Sequence, residues 1–175
     1  PLNVVKMFNE LGADELILLD IEKSKSHTQP NLSLLKSIAE EATMPLVYGG
    51  GVNSVNLATE ILHLGFEKIS LNTAALGYPQ LISDLANKFG SQAVVVSLDV
   101  RQHDDSEYYI YSDRGRKNTR LTAVEFATKA EALGAGELLI TDILKEGTWS
   151  GLNLNLIKAI TTAVAIPVIA HGGAK

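Results

Sequence analysis

The phrase LGADELILLDI, from Leu11 to Ile21, returns as LGAGELLITDI from Leu133 to Ile143, and no other feature of the chain limits its fold so tightly. Asp20 and Asp142 stand 122 residues apart, as do Gly12 and Gly134, Pro45 and Pro167, and Gly50 and Gly172. MPLVYGGG therefore answers IPVIAHGG at the offset that separates the opening phrases. An offset held without drift over roughly forty residues marks an internal duplication rather than shared composition.

Between the two copies, helical and extended patterns alternate. Apolar spacing predicts helices over 3–11, 32–41, 55–64, 79–89, 122–133 and 154–163. Compact apolar runs predict strands over 15–20, 45–48, 68–71, 93–98, 137–141 and 167–170. Residues 108–111 and 116–120, with Asp113 to Gly115 between them, read as a short hairpin. Thr122 with Glu125 three residues on reads as a capping box.

Strands that alternate with helices form βαβ units around a parallel sheet, either doubly wound and open or closed as a barrel. The repeat favours the barrel. An offset of 122 residues spans four βα units of about thirty residues each, so two copies make a (β/α)8 TIM barrel of roughly 250 residues. The 175 residues then correspond to an incomplete barrel, about strands 2 to 7, with half-barrel repeats over about 1–76 and 77–175. Beginning at Pro1 and ending just after a glycine pair, the chain reads as a piece of a longer domain. Without strands one and eight, strands two and seven would expose unpaired edges and the apolar residues Leu16, Leu18, Val168 and Ala170, taken here as interior. Such edges invite self-association, a homo-oligomer, or strands supplied from outside the piece.

With 46% hydrophobic and 20% charged residues the composition is that of a soluble globular domain, expected in the cytoplasm. The absence of cysteine excludes disulfides and thiolate metal sites, and no metal or other cofactor is expected. No secretory leader or membrane span is evident. A net charge of −5 argues against a nucleic-acid partner, although backbone amides can still bind anions locally.

In βα barrels the loops after the strands form the active face. Collected in order, those positions are Asp20, then Gly49 to Gly51, then Asn72 and Thr73, then Asp99, then Thr141 and Asp142, and last His171, Gly172 and Gly173. Glycines ahead of a helix expose amides suited to phosphate. Gly50 with Gly51 and Gly172 with Gly173 are two such places, which points to a long substrate with a phosphate at each end.

YGGGV, KISLNTAAL, FGSQAVVVSLDV, RGRKNTRL, GAGELLITDI, EGTWSG and IPVIAHGGA together resemble the cyclase subunit family of imidazole glycerol phosphate synthase, in that family's order and over nearly the whole chain. The related phosphoribosyl isomerase shares the half-barrel repeat but usually lacks the NTAA and SGxKNT phrases. The resemblance implies a barrel that takes ammonia from a partner glutaminase and closes an imidazole ring on a bisphosphorylated ribulosyl aminoimidazole carboxamide nucleotide, in histidine biosynthesis. It implies Asp99 as one of two catalytic carboxylates, the other belonging to a first strand that would precede Pro1, so that the piece alone is expected to be inactive. It also implies phosphate contacts at Gly51, Asn72 and Thr73 at one end and at Gly147 and Gly173 at the other.

At the opposite face, Glu15, Lys68 and Glu137 match three members of the family's charged ring that gates ammonia entry. Some positions depart from the family pattern. Leu144 stands where an acidic residue is usual, with Glu146 nearby, and His171 replaces a small hydroxyl residue. As an imidazole beside a phosphate His171 could donate to it, but it is read here as a surface residue, while His27, His63 and His103 are expected to be solvated. Two other readings stand beside the cyclase: a non-catalytic phosphate-binding or assembly module derived from it, and a paralogue serving sugar amidation in surface polysaccharide synthesis. The polar loop IEKSKSHTQPN favours the latter.

Overall fold

Strands and helices alternate along the computed structural model, which describes residues 1–21, 29–113 and 115–174. In chain order the elements are α1 (Leu2–Glu10), β1 (Leu16–Leu19), α2 (Leu32–Glu41), β2 (Leu46–Gly49), α3 (Val55–His63), β3 (Lys68–Leu71), α4 (Thr73–Gly77) and α5 (Gln80–Phe89). A 3-10 turn (Ser91–Ala93) leads into β4 (Val94–Gln102), and β5 (Tyr108–Ser112), β6 (Lys117–Thr122), α6 (Ala123–Ala132), β7 (Glu137–Asp142), α7 (Leu154–Ala163) and β8 (Val168–His171) follow. Most of the polar loop IEKSKSHTQPN, His27 included, lies outside the described residues.

Six strands run parallel in the order β1-β2-β3-β4-β7-β8 and curl through 225°. This is an incomplete (β/α)8 barrel. The outer edges of β1 and β8 have no strand partner among the described residues. β5 and β6 form an antiparallel hairpin that continues the ladder of β4 from Asp99 to Gln102. That pairing explains why β4 runs four residues past the stretch its apolar run predicts. The five-residue α4 was not expected from the sequence, because a helix of little more than one turn has no apolar period to read.

Helix starts are set by short polar side chains that accept from free amides. Asn31 accepts from the Leu34 amide, Ser54 from the Leu57 amide and Asn153 from the Leu156 amide. The two asparagine caps are 122 residues apart and share nearly the same backbone angles, φ −78° and ψ 88° against φ −83° and ψ 88°. At α6 the predicted capping box is present, with Thr122 and Glu125 each satisfying the other's amide.

Side chains alternate between the two faces of each strand. Outward-facing residues such as Leu46, Tyr48, Ile69 and Leu138 meet the helices, where Ile38, Ile61, Ile82 and Ile160 are buried. Each such aliphatic side chain contributes about 1.5–3 kcal/mol by leaving water. Inward-facing Val47, Val95 and Leu139 form a second, smaller cluster with Ile17 and Ile169. Leu16, Leu18 and Val168 pack against the helical layer, so the expectation that they face the interior is wrong by one residue of phase. Ala170 shares their side by alternation, and the interior apolar residues of the edge strands are Ile17 and Ile169. Thr122→Ala removes one half of the reciprocal cap and is expected to lower stability by about 1 kcal/mol in urea unfolding, with an unchanged m-value.

Candidate active site

A cavity of about 540 Å³ opens at the C-terminal ends of the parallel strands. Buried Ser70 and Ser97 line its depth. Around them stand Asp20 after β1, Gly49 to Gly51 after β2, Asn72 and Thr73 after β3, Asp99 on β4, Thr141 on β7 and His171 on β8. Register explains the assembly. Asp99 pairs with Thr141 and Thr141 pairs with His171, so an acid, a hydroxyl and an imidazole form one row across three adjacent strands.

Two glycines let the chain turn sharply at the rim. A Cβ on Gly50 would lie 2.6 Å from the Asp20 carbonyl oxygen, and one on Gly172 would lie 2.5 Å from the Asp142 carbonyl oxygen. Both residues also have positive φ, 139° and 93°, so these positions exclude a side chain for steric and conformational reasons together.

Asp99 takes up its proton more readily than an ordinary aspartate. Burial at the cavity wall raises its pKa, while a hydrogen bond from the Asn72 side chain and the nearby charge of His171 offset part of that rise. The His171 ring meets Thr141 Oγ1 at 3.2 Å through Nδ1 and Glu146 Oε2 at 3.5 Å through Nε2. Its side chain is exposed, in keeping with the reading of His171 as a surface residue, and it also lines the cavity.

The candidate residues divide into three places. Asp20, Gly50, Gly51, Asn72, Thr73, Asp99 and Thr141 line the cavity together. Gly147, Gly172 and Gly173 are not part of its lining: Gly147 is exposed in the loop after β7, and the Gly173 carbonyl accepts from the Gly151 amide at 2.7 Å. Asp142 is turned into that loop, where its carboxylate accepts from the Leu144 amide at 3.0 Å and from Asn153 Nδ2 at 2.7 Å. At the other end of the strands Lys68 Nζ lies 2.7 Å from Glu15 and 2.8 Å from Glu137. Burial opposes the charge on Lys68, but hydrogen bonds and charges from Glu137 and Glu15 outweigh it and raise its pKa.

Sequence reasoning missed Ser70 and Ser97, although each stands two residues before a rim residue, Asn72 or Asp99, and so shares its face. It also misjudged His103. That ring is braced in the hairpin, with Nε2 against the Tyr111 hydroxyl and 3.2 Å from Asn118 Nδ2, and its edge packs on Tyr109. His63, on the last turn of α3, is exposed as expected.

A family model described as histidine biosynthesis protein matches residues 1–175. The chain is 42% identical over 174 residues to the imidazole glycerol phosphate synthase subunit HisF of Exiguobacterium sp. (strain ATCC BAA-1283 / AT1b), covering 99% of this chain and 68% of that one. It is likewise 42% identical over 174 residues to the HisF subunit of Alkaliphilus metalliredigens (strain QYMF), covering 99% and 69%. The chain belongs to the histidine biosynthesis protein family.

As a HisF-like member, it carries its Asp99 row and its Lys68 cluster at opposite ends of one parallel arc. Among the described residues no group of histidine and acidic side chains could hold a metal ion, and no helix is long and apolar enough to cross a membrane. The raised pKa of Asp99 gives a signed expectation for stability. A group whose folded pKa is raised contributes most below its unfolded value, about 3.9 for aspartate, and that contribution is lost as pH rises through the folded value. Asp99→Asn is therefore expected to unfold later than the parent at neutral pH, the gain shrinking toward zero in unfolding curves taken below about pH 4.

Proposed function

We propose that this HisF-like chain carries the cyclase chemistry of imidazole glycerol phosphate synthase: ammonia from a partner glutaminase closes an imidazole ring on a bisphosphorylated ribulosyl aminoimidazole carboxamide nucleotide. The observation that carries the reading is the inward-facing column. Lys68 and Ser70 alternate up β3 with Asn72 just past its end, Val95, Ser97 and Asp99 up β4, and Glu137, Leu139 and Thr141 up β7. The column begins at an ion-paired cluster, continues past small hydroxyls and ends at a carboxylate in a cavity.

Ammonia enters where Lys68 bridges Glu15 and Glu137, once a docked glutaminase offers these charges competing contacts. Asp99, with its pKa moved upward, is one of the two acid–base groups, since proton transfer is most effective when the group's pKa lies near the working pH. One phosphate is held by Gly50, Gly51, Asn72 and Thr73. The other is held on the side of Gly147, Gly172 and Gly173, with Asp20 and Thr141 along the chain between them.

The half-barrel units, about 1–76 and 77–175, are supported by the matched Asn31 and Asn153 caps and by the matched close approaches at Gly50 and Gly172. The open edges of β1 and β8 lead the 175-residue chain to self-associate, and light scattering that gives one compact 18.8 kDa particle would overturn that expectation. Activity is tested with ammonia as nitrogen source, on the chain joined to the upstream strand that supplies the second carboxylate in the family. There Asp99→Asn should lower kcat by about 10²–10⁴. Turnover unchanged by that substitution would remove Asp99, and with it this reading.

A further inference from the structure

Among its described lining residues the cavity has two carboxylates, Asp20 and Asp99, and neither lysine nor arginine. Among its described lining residues His171 alone can carry positive charge. A doubly phosphorylated ligand that meets Asp20 and Asp99 is repelled by both, so a cation on the same wall has a large say in its affinity.

The imidazole of His171 is held unequally at its two nitrogens. Thr141, buried on β7 and its register partner, lies 3.2 Å from Nδ1. In the imidazolium form Nδ1–H donates to the Thr141 hydroxyl oxygen and Nε2–H faces Glu146. Glu146 is the weaker partner. Its carboxylate is 3.5 Å away, beyond a strong charge-assisted hydrogen bond, and its side chain is 52% exposed. The backbone there is fixed: the Glu146 amide donates to the Asp142 carbonyl at 3.1 Å, and Lys145 is tied to the Gly151 carbonyl at 3.0 Å. The carboxylate can therefore leave by rotating its own side chain while the loop stays put. Beside it Gly147 has open space where a side chain would stand.

We propose that His171 is a cationic contact in the cavity for a phosphate group, and that Glu146 fills that contact until the phosphate displaces it. The inference rests on the bisphosphate reading of the cavity and assigns a residue to its second end. His171 and Glu146 then act in opposite directions on the same ligand. Removing the imidazole removes a donor, whereas neutralising Glu146 removes both a competitor for that donor and a negative charge beside the incoming one.

Inorganic phosphate is the probe, titrated into the isotope-labelled chain while NMR follows the Gly51 and Thr73 amides at one end and the His171 ring and Gly173 amide at the other. His171→Ser and His171→Gln should weaken phosphate binding at the Gly173 end by about tenfold, the loss of one charge-assisted hydrogen bond. Glu146→Gln should tighten it severalfold, and that gain should vanish in the His171→Ser background. Equal binding by parent and His171→Ser at the Gly173 end, or tightening by Glu146→Gln that persists without the imidazole, overturns the proposal. A parent chain whose Gly51 and Thr73 amides ignore phosphate overturns the bisphosphate reading itself. Should His171→Ser lose the response at both ends through misfolding, the Glu146→Gln chain decides alone: no tightening there sinks the idea.

Discussion

Two-residue alternation along parallel strands is the constraint on which everything else here depends. On β3, β4 and β7 the residues of one parity bury themselves against helices, and those of the other parity look into the lumen. The outward set is apolar where the helices cover it, because a dry layer leaves unpaired polar groups without partners, and its exception, Asp142 at the end of β7, is hydrogen-bonded to the Leu144 amide and Asn153. The inward set is freer, and it grades from charged at the strand starts through small and aliphatic to polar at the strand ends. A slip of one residue in any strand would exchange the two sets, so fold and site are specified by the same hydrophobic pattern.

The two polar ends of that column are handled differently. At the strand starts one lysine sits between two glutamates, all three partly buried, and mutual attraction offsets the desolvation of each. At the strand ends Asp99 accepts from a neutral amide, Asn72, with a histidine in electrostatic reach, and burial prevails. One end is therefore a settled ion cluster and the other a carboxylate inclined to hold a proton.

Much of this was legible in the residues. The offset of 122 residues pointed to a barrel architecture, and the ends of apolar runs located Asp20, Gly50, Asn72, Asp99 and Thr141, which the fold brings around one cavity. Long-range features were less visible. The phase of β1 and β8 was misjudged at Leu16 and Val168 because four-residue strands rich in leucine, valine and isoleucine carry no internal contrast between faces. His103 was misread, and the partner of His171 was not foreseen, for a related reason: Tyr111 and Thr141 become their neighbours only through the sheet, and register is not written in local spacing. Gly147 and Gly173 remained outside the cavity lining, since the loop carrying Gly147 folds on its own hydrogen bonds to Asp142 and Gly151.

The hairpin that extends β4 bears on how Asp99 is held. Asp99 is bonded into a parallel ladder with Thr141 on one side and faces Tyr111 in an antiparallel ladder on the other. The rings of His103, Tyr109 and Tyr111 pack edge-on and tilted against one another along this arm. Backbone bonded on both flanks fixes the bearing from which the Asp99 side chain enters the cavity, so its aim is set by two ladders at once rather than by a loop.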